Sequence, residues 1–215
     1  MQQPIILAFD TSGPWVETAV LRDGEIVAAQ RVDMAKGQAE HLMPMVQQTL
    51  EQAQTQLQDV VAIGVGVGPG NFTGIRISVS AARGMALALG IPAIGVSLLD
   101  SLAYDGPRPL LACISAPRGT KYFQRFGDGV ERPPTLVDTD GFSDWACPDL
   151  TIIGQDSAEL SELLGAAQAP AAFAPASAIA RIAAKRLPLQ NARPAPLYIK
   201  PADAAPSREQ GPTML

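Results

Sequence analysis

The chain has 215 residues, 47% apolar and 17% charged, which is enough to build one large domain or two small ones and too apolar for a disordered chain. A net charge of −5 and a pI of about 4.9 argue against an independent nucleic-acid binder, although Arg181, Lys185, Arg186, Arg193 and Lys200 form a local basic stretch. Cys113 and Cys147 have no metal spacing and read as reduced thiols; no leader-like or membrane-length apolar segment is seen, so the cytoplasm is the expected compartment.

In chain order, Ile5–Phe9, Glu17–Arg22 and Glu25–Val32 predict three strands, the first pair joined by Asp10-Thr11-Ser12-Gly13 and the second by Asp23-Gly24. Leu42, Val46, Leu50, Ala53 and Leu57 recur at helical spacing and predict a helix from about Glu40 to Gln56, with Pro44 kept within its first four positions. A strand at Val60–Val67 leads through Gly68-Pro69-Gly70 into a second helix ending near Leu89. Ile91–Val96 then predicts a fifth strand and Ser97–Ala103 a short helix capped by Ser97. Asp105-Gly-Pro-Arg-Pro109 breaks the pattern. Beyond it, strands are predicted at Leu110–Ser115, Lys121–Arg125, Thr135–Val137 and Thr151–Ile153. Helices are predicted at Thr139–Trp145, Ser157–Leu164 and Ser177–Arg186, with Ala166–Pro175 as a connector. The stretch 201–215 reads as a disordered tail.

The strand–turn–helix around Gly68–Leu89 organises the rest. Its glycines set the crossing point, Asn71 and Thr73 can accept from the first helical N–H groups, and the positive helix end can hold an anion. Gly68, Gly70 and Gly74 match neither a Walker loop, which needs a following Lys, nor a dinucleotide fingerprint. Arg76, in the first turn, has two readings: a cation awaiting an anionic partner, or an exposed side chain in water. The helix is apolar over an arc of roughly 200° at about 100° per residue, more than one sheet face covers. The expected docking face is therefore Met43, Val46 and Gln47 of the first helix with Ser78, Ala81, Ala82 and Met85 of the second, and it is open also to a second copy of the chain.

Ile6–Gly13 (ILAFDTSG), Gly68–Ser78 (GPGNFTGIRIS) and Gly90–Val96 (GIPAIGV), in that order with QAEHLMPMV between the first two, resemble the TsaB family, partner subunits in bacterial tRNA threonylcarbamoyladenosine synthesis. The GPG-x-FTG-x-R block is specific; weaker pieces follow at Arg118-Gly119 with Tyr122, at Ile153-Gly154 and at Pro196–Lys200. The resemblance implies an α/β fold of the actin-like ATPase (sugar kinase and chaperone ATPase) class, in two lobes with mixed sheets. The first lobe, 1–104, would carry the glycine turn and docking helices. A smaller α/β lobe, 105–200, would follow, its last helix able to return to the first, and then the tail.

In catalytic relatives the turn matching Asp10, Thr11, Ser12 and Gly13 approaches nucleotide phosphates. The resemblance implies that TsaB proteins have lost that role and dock onto the catalytic homologue TsaD, with the ATPase TsaE joining. No catalytic residue, metal or cofactor of its own is then expected; ATP is used at the assembled complex, tRNA is met only through it, and no membrane is involved. The family often has His where this chain has Gln38 and an Asp-Ala-Arg-like motif where it has Ser115-Ala116-Pro117. The alternative is a small actin-fold ATPase or kinase acting alone, with Asp10 and Glu17 as paired carboxylates. His41, the single histidine, begins no H-x-x-x-H pair and reads as surface or core filler.

Overall fold

The computed structural model describes residues 4–127, 129, 131–189 and 192–199; the predicted tail and Lys200 lie outside these. Strands β1 (Ile6–Asp10), β2 (Trp15–Arg22), β3 (Glu25–Asp33), β4 (Ala62–Gly66) and β5 (Ala93–Val96) form one sheet in the order β3-β2-β1-β4-β5. The β1–β2 and β2–β3 pairs are antiparallel, β1–β4 and β4–β5 parallel. Alternation sends Leu7, Phe9, Val16, Val20, Ile63 and Val65 to one face, under α1 (Gln38–Gln52) and α2 (Phe72–Leu89). Ile6, Ala8, Ala62, Ile94 and Val96 face the other side, where α5 (Pro175–Arg186) covers them. Both faces are therefore buried, which is why β1 reads as an unbroken apolar run.

Small residues let α5 sit close: Ala176, Ala178, Ala180 and Ala183 are buried, and a Cβ on Gly64 would press on Ile179 and Ala183. α5 thus completes the first lobe. In the second sheet β6 (Leu110–Ser115) is central, parallel to β9 (Thr151–Gly154) and antiparallel to β7 (Lys121–Phe126), with β10 (Ala167–Gln168) beside β9 and β8 (Arg132–Val137) beside β7. β8 (Arg132–Val137) is an edge, so it begins earlier than predicted despite Pro133 and Pro134, whose missing donors cost an edge strand little. The connector contains the two-residue β10 (Ala167–Gln168), and α4 (Ser157–Leu164) with the 3-10 turn Thr139–Trp145 covers Phe123.

The first helix starts at Gln38 rather than Glu40, which places Pro44 beyond the first turn. Pro44 lies on the exposed side, where water can meet the carbonyl it leaves unpaired. The helix ends at Gln52, four residues short of the prediction, because Gln54 turns left-handed (φ 49°) and Thr55 N–H returns to Leu50 O at 3.0 Å. The short α3 (Leu98–Ala103) is capped by Ser97 Oγ as predicted, and it joins the lobes. Leu98 and Leu99 pack with Ile114 of β6 and with Trp15 of β2, while Asp100 accepts from Arg186 of α5 at 2.8 Å.

Candidate functional site

The C-terminal ends of β1 and β4 lie side by side, so the Asp10–Gly13 turn and the Gly68–Gly74 turn close on each other. Thr11 Oγ1 donates to Gly74 O at 2.6 Å, and Asn71 N–H donates to Ser12 O at 2.7 Å. A Cβ on Gly74 would strike Thr11 O and one on Gly70 would strike Ser12 O, so both glycines are required by backbone contact. Asn71 caps α2, its Oδ1 accepting from Thr73 N–H and Gly74 N–H at 3.0 and 3.3 Å. Of the two predicted acceptors only Asn71 serves, and it takes donors that an anion would otherwise find.

Gln38, the first residue of α1, is buried against the first turn, with its amide nitrogen 2.7 Å from Gly13 O, 2.8 Å from Trp15 O and 3.3 Å from Thr11 O. Gln38 is thus a three-carbonyl clamp on the Asp10–Trp15 backbone. Sequence reading assigned Gln38 no such role, because its partners are 23 to 27 residues away.

Asp10, Thr11 and Ser12 are all fully buried. Asp10 Oδ2 accepts from Ser12 Oγ at 2.9 Å and from the indole N–H of Trp15 at 2.8 Å, while Oδ1 has no partner among the described residues and presses against Gly66. Burial raises the Asp10 pKa, and the bonds from Ser12 and Trp15 oppose the rise. Glu17 stands opposite Asp10 in the β1–β2 register, and Arg31 stands opposite Glu17 in β2–β3. Burial pushes Glu17 up to about 7, offset by the Ala176 N–H of α5, which donates to Oε2 at 3.1 Å, and by Arg31, 3.8 Å from Oε1. The two carboxylates predicted as a pair do share a row. They face the protein interior and the α5 N-terminus rather than a cleft.

Trp15 separates two cavities between the lobes. One, about 380 Å³, is lined by Ser12–Trp15, Pro69–Asn71, Ser115–Pro117 and Tyr122; the other, about 620 Å³, by Trp15, Arg31, Leu98, Ser157 and Pro175. On the second-lobe wall Asp156 accepts from Lys121 and Ser115, both at 2.5 Å, and these bonds lower its pKa. Cys113, its thiol pushed up to about 12 by burial, donates to Gln155 O at 2.8 Å. Among the described residues no three His, Cys, Asp or Glu side chains converge, and His41 is exposed, its Nδ1 2.8 Å from Gly37 O.

The predicted docking face divides. Met43 and Gln47 are exposed and Ala81 and Met85 half-buried, but Val46, Ser78 and Ala82 are corrected to the core. Val46 and Ala82 belong to the cluster under α1 and α2, and Ser78 Oγ donates to Gly66 O at 3.1 Å. The wide apolar arc of α2 is accounted for largely within the chain, by the sheet on one side and α1 on another. Arg76 is exposed, as one of its two readings has it, with its guanidinium 3.8 Å over the Phe72 ring and its Nε donating to Tyr198 Oη at 3.1 Å. Phe72 and Tyr198, half-exposed and 5.5 Å apart, are surface features the sequence reading did not single out.

Among the described residues no helix is long and apolar enough to cross a membrane. Residues 30–138, just over half of the chain, match the family model described as TsaD: tRNA N6-adenosine threonylcarbamoyltransferase. An uncharacterized protein of Mycobacterium tuberculosis is 32% identical over 210 residues, 96% of each chain. Two solved structures from Pseudomonas aeruginosa superpose. A protein with similarity to peptidase YeaZ has a TM-score of 0.76 and 25% identity over 92% of this chain and all of that one. YeaZ itself has a TM-score of 0.69 and 27% identity over 86% of this chain and 92% of that one. With its two mixed sheets and its closely apposed first and glycine-rich turns, the chain has the actin-like ATPase fold and belongs to this tRNA-threonylcarbamoyltransferase-related family, in its YeaZ (TsaB) group.

Proposed function

We propose that the chain is a non-catalytic subunit of the machinery that places threonylcarbamoyl groups on tRNA adenosine, binding a TsaD-type catalytic homologue, with a TsaE-type ATPase joining and ATP used at the assembled complex. The observation that supports this reading is the buried first turn: Asp10 is fully buried, Ser12 and Trp15 occupy its Oδ2, and Gln38 clamps the backbone around it. A carboxylate that is fully buried and bonded inward is poorly placed to hold a nucleotide's metal. The docking surface proposed is the outer face of α1 and α2, where Met43, Pro44, Gln47 and Met85 line a groove of about 520 Å³; a second copy of the chain is the occupant proposed when the partner is absent.

The test is reconstitution. The chain alone gives no modified adenosine in tRNA and no ATP turnover, the catalytic homologue and ATPase together give little, and adding the chain restores product. Modification or substantial ATP hydrolysis by the purified chain alone would overturn this and promote the independent-kinase alternative.

A further inference from the structure

α2 has a second flank, facing away from α1. Arg76 and Arg83, seven residues apart, point along it, and the segment 192–199 runs beside it: Pro194 against Gly95, Leu197 N–H to Val67 O at 2.8 Å, Tyr198 against Phe72. At the C-terminal end of this flank lies a groove of about 500 Å³, lined by Arg83, Leu87, Ile91, Pro92, Arg193 and Pro194, with Gly84 and Gly90 opening its floor.

Two observations limit what the groove fits. Its charge has one sign: both lining charges are arginines, neither has a side-chain partner among the described residues, and no Asp or Glu occurs from Val60 to Leu99 or from Leu163 to Ile199 in a chain whose net charge is −5. Its lining is otherwise apolar, and Leu87, 82% exposed, is the most exposed large apolar side chain among the described residues. Phosphate backbone would use the arginines and leave Leu87 and Ile91 without a role. An apolar side chain set between carboxylates uses both.

We propose that this groove docks a peptide segment of a protein partner in which an apolar residue is flanked by acidic ones, the apolar side chain against Leu87 and Ile91 and the carboxylates on Arg83 and Arg193. The site is separate from the α1–α2 outer face, so it neither requires nor tests the subunit assignment.

The experiment is fluorescence anisotropy on the full chain with a labelled decapeptide carrying Leu-Phe at its centre and two Glu on each side. Three comparison probes are the same peptide with Ser-Ser at the centre, the same peptide with Lys for Glu, and a ten-nucleotide single-stranded RNA. The acidic Leu-Phe peptide binds best, its affinity falls at least about tenfold in Arg83→Glu and in Arg193→Glu, and it falls in Leu87→Ser. Arg118→Glu and Met43→Asp leave it unchanged. All three groove side chains are exposed, so these variants keep the wild-type melting temperature. Absence of binding by the acidic peptide, equal binding of the Ser-Ser peptide, tighter RNA binding sensitive to the same arginines, or a lowered melting temperature in the exposed-site variants would each overturn the proposal.

Discussion

Glu17 carries the clearest single-residue consequence, because a carboxyl held at about 7 in the fold against an ordinary value of 4.5 binds a proton more tightly folded than unfolded. Stability from this group is fully present below pH 4.5 and is lost as pH rises towards 7, by up to about 3 kcal/mol at roughly 1.36 kcal/mol per pKa unit. Glu17→Gln keeps an oxygen for the Ala176 N–H and cannot ionise. Urea midpoints measured from pH 4.5 to 8 should therefore fall in the wild type and fall less in the variant, which becomes the more stable of the two above pH 7. Asp10, shifted in the same direction, keeps some slope in both. A slope unchanged by the substitution would refute the assignment. Gln38 makes a second test: its amide offers two protons to three buried carbonyls, so Gln38→Leu leaves them unpaired and should cost about 1–3 kcal/mol by denaturant unfolding. A loss below a few tenths would show that water replaces the amide.

Among the elements, α2 shows how far helical periodicity reaches. The period places Ser78, Ala81, Ala82 and Met85 on neighbouring directions, and their apolar or small character is equally suited to a partner and to a core. Packing decides: the sheet and α1 take Ser78 and Ala82 and leave Ala81 and Met85 at the margin. Ala82→Arg should accordingly lose the cooperative circular-dichroism melt, since a charge with no room or partner enters the core. Met43→Asp should keep that melt while weakening complex formation with the TsaD-type homologue proposed as its partner, read by size-exclusion chromatography. A folded Ala82→Arg chain would return that position to the docking face. Proline at the boundaries follows the same logic: Pro44 sits on an exposed helix side, and Pro133 and Pro134 on a sheet edge, where each missing donor costs little.

For the whole molecule, the chain order of lobes is not the order of packing. Residues 1–104 hold every strand of the first sheet, yet Ile6, Ala8, Ala62 and Ile94 are covered by α5 at residues 175–186. A fragment ending at Tyr104 exposes that face and should aggregate or stay unfolded; adding a peptide of residues 170–189 in trans, followed by circular dichroism, should recover folded signal. A stable, monomeric fragment without the peptide would contradict the shared core. Local sequence was sufficient for the strand and helix order, the Ser97 and Asn71 caps, the break at Asp105–Pro109 and, through ILAFDTSG and GPGNFTGIRIS, the family, because periodicity, capping and turn chemistry act over a few residues. Only the tertiary structure decided that α5 closes the first sheet, that Trp15 and Ser12 occupy Asp10 Oδ2, that Gln38 clamps the turn and that three of the seven expected docking residues, Val46, Ser78 and Ala82, are core. Apart from the Asp10 contacts, which span two and five residues and depend on how the turn is folded, these join residues far apart in the chain, 159 residues in the case of Glu17 and Ala176, and burial at such a contact depends on which surfaces meet rather than on either segment's own pattern.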